Sequence, residues 1–323
     1  MHIQFVENKD IRDENMSIRL WFVKRQIGKI FRPKSMRDAT PQRIGQHFLD
    51  VLTNLEGKMP KVPKDGVIEH VNEDGALGDW IWAPGASKDR VFYYIHGGGY
   101  VWGSPKAYHD FGYLLSKACG ARVFLLDYGL SPETKAPTQL HQSLAAYDYI
   151  KKKYPKANLV IGGDSAGGGL AHSMLIAIRD SERELPLASA LIAPWVDITG
   201  SGDSAKENLW KDVLLDARAI VHGADQFRGE FAADDPVVSP LFADQAGLPP
   251  ILMQVGEEEI LRDDSVRLAE KITAAGGTAK LDIWPKVYHV WHRSAAIVPE
   301  SRRAIKDIAN FFEPFWAPRQ ENL

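Results

Sequence analysis

The sequence has little cysteine, no long apolar run and no concentrated basic run. Its single cysteine, Cys119, excludes an internal disulfide, and its position at the end of an apolar helical pattern predicts a buried, unreactive thiol. The longest apolar runs, such as 91–95, are only as long as a strand, which excludes a membrane-spanning helix. The 39 Lys and Arg nearly balance the 42 Asp and Glu, so the chain lacks the footprint of a nucleic-acid-binding protein.

The first fifteen residues are rich in charge and contain no apolar segment of the kind that follows the basic start of a secretory signal. We therefore expect a soluble, cytoplasmic protein without stable membrane insertion. With 45% hydrophobic residues, 27 Gly and 19 Pro, the composition is that of a folded globular protein.

Short apolar runs alternate with amphipathic stretches along most of the chain. Strands are predicted at 90–95, 122–127, 158–162, 190–193, 251–255 and 279–284. Helices are predicted at 106–119, 139–152, 166–179 and 264–275. This alternation predicts an α/β fold in which a mostly parallel sheet is covered by helices on both faces.

Two segments do not follow the alternation. Near the amino end, Thr40 and Pro41 predict the start of a helix, and 18–31 mixes aromatic and cationic side chains. A membrane-surface helix is one interpretation of 18–31, but a helix packed on the domain with its cations in water is favoured, because acidic residues lie close by. The second segment, about 198–235, leads into a helical pattern at 213–227, which predicts an insertion above the strand ends.

The run from Gly163 to Gly167 follows an apolar strand pattern and precedes a helical one. Ser165 stands at its centre, in the Gly-x-Ser-x-Gly pattern of a sharp turn that presents a nucleophilic serine. Glycines suit such a turn because side chains there would collide.

A second motif, His96-Gly97-Gly98-Gly99, follows the strand predicted at 90–95. An acyl-transfer enzyme needs backbone amides close to the oxygen that becomes negatively charged, and consecutive glycines allow that approach. The two motifs together predict an acyl-transfer site. We expect His96 to orient its loop through a hydrogen bond and Asp164 to be a solvated or loop-fixing carboxylate.

These motifs, with Asp127-Tyr128-Gly-Leu-Ser-Pro132-Glu133, resemble the hormone-sensitive-lipase-like α/β-hydrolases, the bacterial family IV esterases. The resemblance covers about residues 60–315. It implies that the amides of Gly98, Gly99 and Ala166 form the oxyanion hole while Gly97 shapes the loop. It also implies a helical cap, built from amino-terminal helices in 1–60 and from the 198–235 insertion, over a catalytic domain spanning 61–323.

His289 is the candidate base, because it follows the last predicted strand and chain order on this fold runs serine, acid, histidine. His292 is the alternative. The acid must lie just past the strand at 251–255, where several carboxylates occur. The candidates are Glu257, Glu258, Glu259, Asp263, Asp264 and, from another loop, Asp197. The family pattern of acid, any residue, Leu, Arg, Asp favours Glu259, and Asp263 and Asp264 are expected to cap the following helix.

Further side chains are expected near the substrate. Tyr100, Trp195 and Asp197 are the candidate substrate-binding residues, with Trp102 either lining the cleft or packing. Cap aromatics are expected to close the cleft over small substrates. These aromatics are Trp21, Phe22, Trp210 and Phe227.

The sequence predicts a serine carboxylic ester hydrolase that acts on short to medium acyl esters and needs no cofactor or metal. Two histidines at 289 and 292 lack the further ligands of a metal set. A lactone hydrolase with the same triad is the nearest alternative. A non-catalytic binding protein would need a broken triad, and a peptidase would need a large extra domain. The expected partner is a small-molecule ester rather than nucleic acid, and a homodimer stays possible.

Overall fold

One mixed sheet organises the computed structural model, which describes residues 4–5 and 16–316. Nine strands lie within these residues: β1 (Gln4–Phe5), β2 (Val67–Glu73), β3 (Ala76–Trp82), β4 (Ser87–Ile95), β5 (Ala121–Leu126), β6 (Asn158–Asp164), β7 (Ser189–Ile192), β8 (Ile251–Gly256) and β9 (Ala279–Trp284). Their order across the sheet is β1-β9-β8-β7-β6-β4-β5-β3-β2. Only the pairs β2–β3 and β3–β5 are antiparallel.

Nine α-helices accompany the sheet in the same described residues. They are α1 (Ile18–Phe31), α2 (Pro41–Glu56), α3 (Pro105–Cys119), α4 (Thr138–Lys153), α5 (Ala166–Asp180), α6 (Ser204–Glu207), α7 (Ala217–Phe227), α8 (Arg262–Ala274) and α9 (Pro299–Trp316). Short 3-10 helices occupy Lys34–Met36, Pro240–Phe242 and Trp291–Ser294.

Helices cover the sheet on both faces, as predicted. Buried apolar side chains of α4, α5 and α8 pack on one face, and those of α3 and α9 pack on the other. Local signals define the helix ends. Ser104 caps α3 by accepting a hydrogen bond from the Ala107 amide, and Gly120 ends it in the left-handed conformation at φ 60°. Cys119, the last residue of α3, is buried, which confirms the prediction of a buried thiol, and burial raises its pKa to about 12.

The segments outside the alternation form a helical layer. Helix α1 has the bounds of the segment 18–31, and α2 begins at Pro41, as predicted. Thr40 caps α2 by accepting a hydrogen bond from the Arg43 amide. Helix α7 packs against α2 and is shorter than the predicted 213–227, because Asp216 caps it. The first fifteen residues, apart from 4–5, lie outside the described residues.

Strands β1, β2 and β3 and helices α6 and α9 are absent from the sequence prediction, whereas the six predicted strands correspond to β4 to β9. Strand β2 is exposed along almost its whole length, so it lacks the apolar signature of a buried parallel strand. Within residues 4–5 and 16–316, no helix combines the length and apolar content needed to cross a membrane.

Candidate active site

Ser165 occupies a strained turn between β6 and α5. Its backbone has φ 54° and ψ −124°, an unfavourable conformation for a residue with a side chain. The turn is held by a 2.9 Å hydrogen bond from the Ser165 amide to the Ile192 carbonyl. A β-carbon on Gly167 would lie 2.2 Å from the carbonyl oxygens of Ile95 and His96, so only glycine fits there. The local sequence therefore forces the serine to the end of the strand, where its side chain faces a cleft.

The glycine loop after β4 lies beside this turn. Gly98 has φ 120°, and a β-carbon there would approach the Trp102 carbonyl oxygen to 1.9 Å, so this loop also requires glycine. Within the described residues, the amides of Gly98 and Gly99 donate no hydrogen bond. Ala166 begins α5, where backbone amides have no partner inside the helix. These three amides are thus available to an anionic oxygen.

The Gly97 amide has a different role. It points at the carboxylate Oδ1 of Asp164, 3.1 Å away, and at the Tyr108 hydroxyl oxygen, 3.2 Å away. Asp164 is buried and also accepts hydrogen bonds from the hydroxyls of Tyr94 and Tyr108. Burial raises the pKa of Asp164, and these partners oppose that rise. Asp164 therefore fixes the loop, as expected, and the alternative of a solvated carboxylate is wrong.

His96 also stabilises the loop. Its Nδ1 donates to the Gly97 carbonyl over 2.8 Å, and its ring stacks on Tyr128 with centroids 4.3 Å apart. Burial lowers the pKa of His96 to about 4, so the ring is neutral at pH 7. The expectation that His96 orients the loop through a hydrogen bond is confirmed.

His289 and Glu259 form a buried pair. The Nδ1 atom of His289 lies 2.5 Å from Oε2 of Glu259. The second carboxylate oxygen of Glu259 accepts a 2.6 Å hydrogen bond from the Gly256 amide, which fixes its orientation at the end of β8. Burial lowers the pKa of His289, but the charge and hydrogen bond of Glu259 together with the charges of Asp212 and Asp164 outweigh burial, and the net pKa is raised.

The other carboxylates near this turn have different partners. Glu257 is exposed, and Glu258 forms an ion pair with Lys24. Asp263 accepts from the Ser204 amide, and Asp264 accepts from the amides of Val196 and Asp197. Helix α8 begins at Arg262, so both aspartates lie in its first turn and hold the 196–204 loop, instead of capping the helix as expected.

His292, the alternative base, points elsewhere. Its Nε2 lies 2.8 Å from the side-chain oxygen of Gln254, and burial lowers its pKa to about 3. His292 does not line the cleft, whereas His289 does.

Ser165 and His289 line one cleft of about 370 Å³ at the carboxyl ends of the parallel strands. Trp102 and Trp195 also line it. The opposite wall is mostly apolar and comes from α1, α2 and α7. Its members include Ile27, Phe31, Phe48, Leu49, Leu52, Leu55, Ala219 and Ile220.

Several residues expected at the substrate lie outside this cleft. Tyr100 is buried behind the glycine loop, where its ring stacks on Phe227 with centroids 3.6 Å apart. Asp197 is buried and binds Arg267 through a 2.7 Å ion pair. The side chains of Trp21, Phe22 and Trp210 are exposed on the outside of the helical layer. The expectations for Tyr100, Asp197 and the four cap aromatics are therefore corrected. Tyr100 and Phe227 pack on each other, and Asp197 is buried in its ion pair. The other three aromatic side chains face solvent.

Asp212 is a buried residue near the site that the sequence reasoning missed. Its Oδ1 accepts from the amides of Leu214 and Leu215, each over 2.9 Å, and its Oδ2 accepts from the Ile260 amide over 3.1 Å. Burial and the charge of Glu259 raise its pKa. An aspartate directly before an apolar run is a signal for such amide binding.

In the part of the chain described by the structure, no three His, Cys, Asp or Glu side chains are arranged to hold a metal ion.

Comparison with known proteins agrees with this geometry. Residues 92–293 match the family model of the α/β-hydrolase fold. An acetyl-hydrolase of Streptomyces hygroscopicus is 36% identical over 229 residues, which cover 71% of this chain and 76% of that protein. An esterase of Acinetobacter venetianus is 30% identical over 294 residues, covering 90% and 95%.

Solved structures are similar over nearly the whole length. The crystal structure of EstE5 soaked with p-nitrophenyl butyrate has a TM-score of 0.85 at 32% identity, covering 93% of this chain and 99% of that one. An esterase from the bacterial hormone-sensitive lipase family has a TM-score of 0.83 at 35% identity with the same coverage.

Proposed function

We propose a serine mechanism for this chain, which belongs to the α/β-hydrolase fold family and is a carboxylic ester hydrolase of the hormone-sensitive-lipase-like branch. Ser165 is the nucleophile, His289 the base and Glu259 the acid that orients it. The observation that carries the proposal is the buried 2.5 Å contact between Glu259 and His289, together with the cleft that His289 and Ser165 both line. Because Nδ1 of His289 is bound to Glu259, its Nε2 is left to accept a proton.

In the first half-reaction, the Ser165 oxygen attacks the ester carbonyl carbon while His289 accepts the hydroxyl proton. The carbonyl oxygen becomes negative and binds the amides of Gly98, Gly99 and Ala166. The carbon–oxygen bond to the alcohol then breaks, and His289 returns its proton to the departing alcohol. An acyl group remains on Ser165.

In the second half-reaction, water attacks the acyl carbon and His289 accepts its proton. The bond to Ser165 breaks, the serine oxygen regains the proton, and the carboxylic acid leaves. Short to medium acyl esters are the proposed substrates, supported by the limited cleft volume and by the acetyl-hydrolase and p-nitrophenyl butyrate named for two similar proteins.

The test is hydrolysis of p-nitrophenyl butyrate by Ser165→Ala. The change removes one oxygen from a turn whose hydrogen bonds are made by backbone atoms, so the protein should fold while kcat falls about 10³-fold or more. A pre-steady-state burst of nitrophenol equal to the enzyme concentration should accompany the wild-type reaction and disappear in the variant.

Ser294→Ala is the matched control, because Ser294 is a second cleft serine whose oxygen contacts the Tyr288 hydroxyl. Its activity should stay within severalfold of the wild type. Retention of more than about a tenth of wild-type activity in folded Ser165→Ala would exclude the mechanism.

A further inference from the structure

The outer surface of the helical layer carries an unusual set of exposed residues. Between residues 18 and 37, every exposed side chain except that of Ser35 is apolar, aromatic or cationic. We call this set the outer cap face. Its members are Ile18, Arg19, Trp21, Phe22, Arg25, Lys29, Ile30, Lys34 and Arg37. The apolar members are far from buried: Ile18 is 85% exposed and Phe22 is 55% exposed.

Charge is strongly segregated on this chain. Residues 18–37 contain seven Lys and Arg and no Asp or Glu, whereas the whole chain has 39 against 42. The rest of the chain therefore has 32 cationic residues against 42 acidic ones. The acidic neighbours that favoured a solvated helix on sequence grounds lie before residue 18 and after residue 37. A local positive surface on a chain of net charge −3 indicates an anionic partner.

Within the described residues, most of these cations have no acidic partner. Lys24 pairs with Glu258, and Arg32 lies 3.3 Å from Asp216, so these two stabilise the fold. Among the described residues, no carboxylate forms an ion pair with any cation of the outer cap face. The Arg25 guanidinium instead lies 5.4 Å from the Trp21 ring centroid, which keeps a cation and an exposed aromatic ring together.

The same helix also borders the cleft. Ile27 and Phe31 on the inner side of α1 line the cleft, while Ile18, Phe22, Arg25 and Lys29 follow one another at helical spacing on the outer side. A surface bound to the outer side would therefore be separated from the cleft only by the width of α1. Apolar esters could then pass from that surface into the cleft.

We propose that the outer cap face binds reversibly to a lipid surface that carries anionic head groups. Exposed Trp, Phe and Ile side chains enter the interface between head groups and acyl chains, and the interspersed cations attract the negative charge. A symmetric dimer through this face is disfavoured, because it would place the same unpaired cations against each other. The inference does not depend on the proposed triad, since binding is measured without ester hydrolysis.

The experiment measures flotation of the full-length protein with vesicles of pure phosphatidylcholine or with about one-third phosphatidylglycerol. Binding should be at least about tenfold stronger to the anionic vesicles and should weaken as salt is raised. Arg25→Glu combined with Lys29→Glu should lower the partition coefficient on the order of 600-fold, since each cation near an anionic surface contributes about fivefold and each of the two reversals counts twice. Trp21→Ser combined with Phe22→Ser should weaken binding even at low salt.

The matched control is Lys117→Glu combined with Lys306→Glu, which reverses two exposed helical lysines elsewhere on the chain. This variant should bind vesicles like the wild type, and all variants should hydrolyse p-nitrophenyl butyrate normally without lipid. Absence of binding to anionic vesicles, or equal loss in the control, would overturn the proposal. It would also be overturned if Trp21→Ser with Phe22→Ser only converted a dimer into a monomer, since the face would then serve self-association.

Discussion

The proton affinity of His289 is raised by three buried carboxylates, those of Glu259, Asp212 and Asp164. Glu259 binds Nδ1 directly, and the charge of Asp212 acts in the same direction. Burial alone would lower the pKa of His289, yet the balance is a raised pKa. Since His289 must be neutral to accept the Ser165 proton, kcat/KM rises as the pH passes this pKa. The acid limb of the profile should therefore lie above the ordinary histidine value of about 6.5.

Glu259→Gln should move this acid limb to lower pH and lower its plateau about 10²- to 10⁴-fold. The change removes the main charge that raises the pKa of His289 and that stabilises the protonated imidazole during the reaction. The measurement is kcat/KM for p-nitrophenyl butyrate between about pH 5 and 9, with folding checked by circular dichroism.

Glu257→Gln is the control for this variant, since Glu257 is the exposed glutamate two residues earlier. It should leave both the limb and the plateau unchanged. The assignment of Glu259 fails if Asp263→Asn or Asp197→Asn, folded and stable, proves the more damaging change.

At the scale of elements, two side chains connect the helical layer to the catalytic turn. Arg32, just after α1, donates to the Leu209 carbonyl over 2.8 Å and also binds the Leu215 carbonyl. Asp212 continues the connection, because its second oxygen accepts from the amide of Ile260, the residue after Glu259. The loop between α6 and α7 is therefore held to α1 on one side and to the acid's turn on the other.

Asp212→Ala should destabilise the protein by about 3 kcal/mol, because it leaves two buried amides and one half-buried amide without their acceptor at about 1 kcal/mol each. The corresponding fall in melting temperature is roughly 4 to 5 °C for a chain of 323 residues. It should also move the acid limb of the kcat/KM profile to lower pH, since a charge that raises the pKa of His289 is lost. Thermal denaturation and the pH profile measure the two effects.

The matched control is Asp203→Ala. Asp203 is an exposed aspartate of the same insertion, and its side chain makes no capping hydrogen bond. Its melting temperature should change by less than about 1 °C. Equal stability of the two alanine variants would contradict the role given to Asp212.

At the scale of the whole molecule, the sequence predicts the centre of the sheet better than its edge. Strands β4 to β9 are apolar and mostly parallel, so their composition and the helices between them reveal them. Strand β2 is solvent-exposed, and β3 contains Gly78 and Asp79 at its centre, which weakens the strand pattern. These two segments are strands because β3 pairs with β5 and β2 pairs with β3.

Prediction of the site has a similar limit. Ser165, the glycine loop and His289 follow strands, and parallel strands bring their carboxyl ends together. The acid is harder to predict, because several carboxylates share one turn and sequence spacing does not set where each side chain points. Packing also decides which side chains of α1 face the cleft. Ile27 and Phe31 point inward, whereas Trp21 and Phe22 point outward.

The cleft lies between the helical layer and the strand ends, so its dimensions depend on how these two parts of the molecule pack together. Gly45 on α2 lines the wall opposite Ser165. A β-carbon at that position would lie 3.7 Å from the His222 ring on α7, an ordinary contact distance. A small side chain is therefore accommodated there, whereas a longer one would enter the cleft.

Gly45→Leu should shorten the range of acyl chains that the enzyme accepts. We expect kcat/KM for p-nitrophenyl octanoate to fall about tenfold, while that for the acetate stays within about twofold, because only the longer chain competes with the new side chain for space. Gly57→Leu, at the exposed end of the same helix with no atom within 4 Å of its β position, should leave the whole series unchanged.

The wild type should prefer butyrate esters to long-chain triglycerides, and faster cleavage of olive-oil-type triglycerides would show that the helical layer does not limit the cleft.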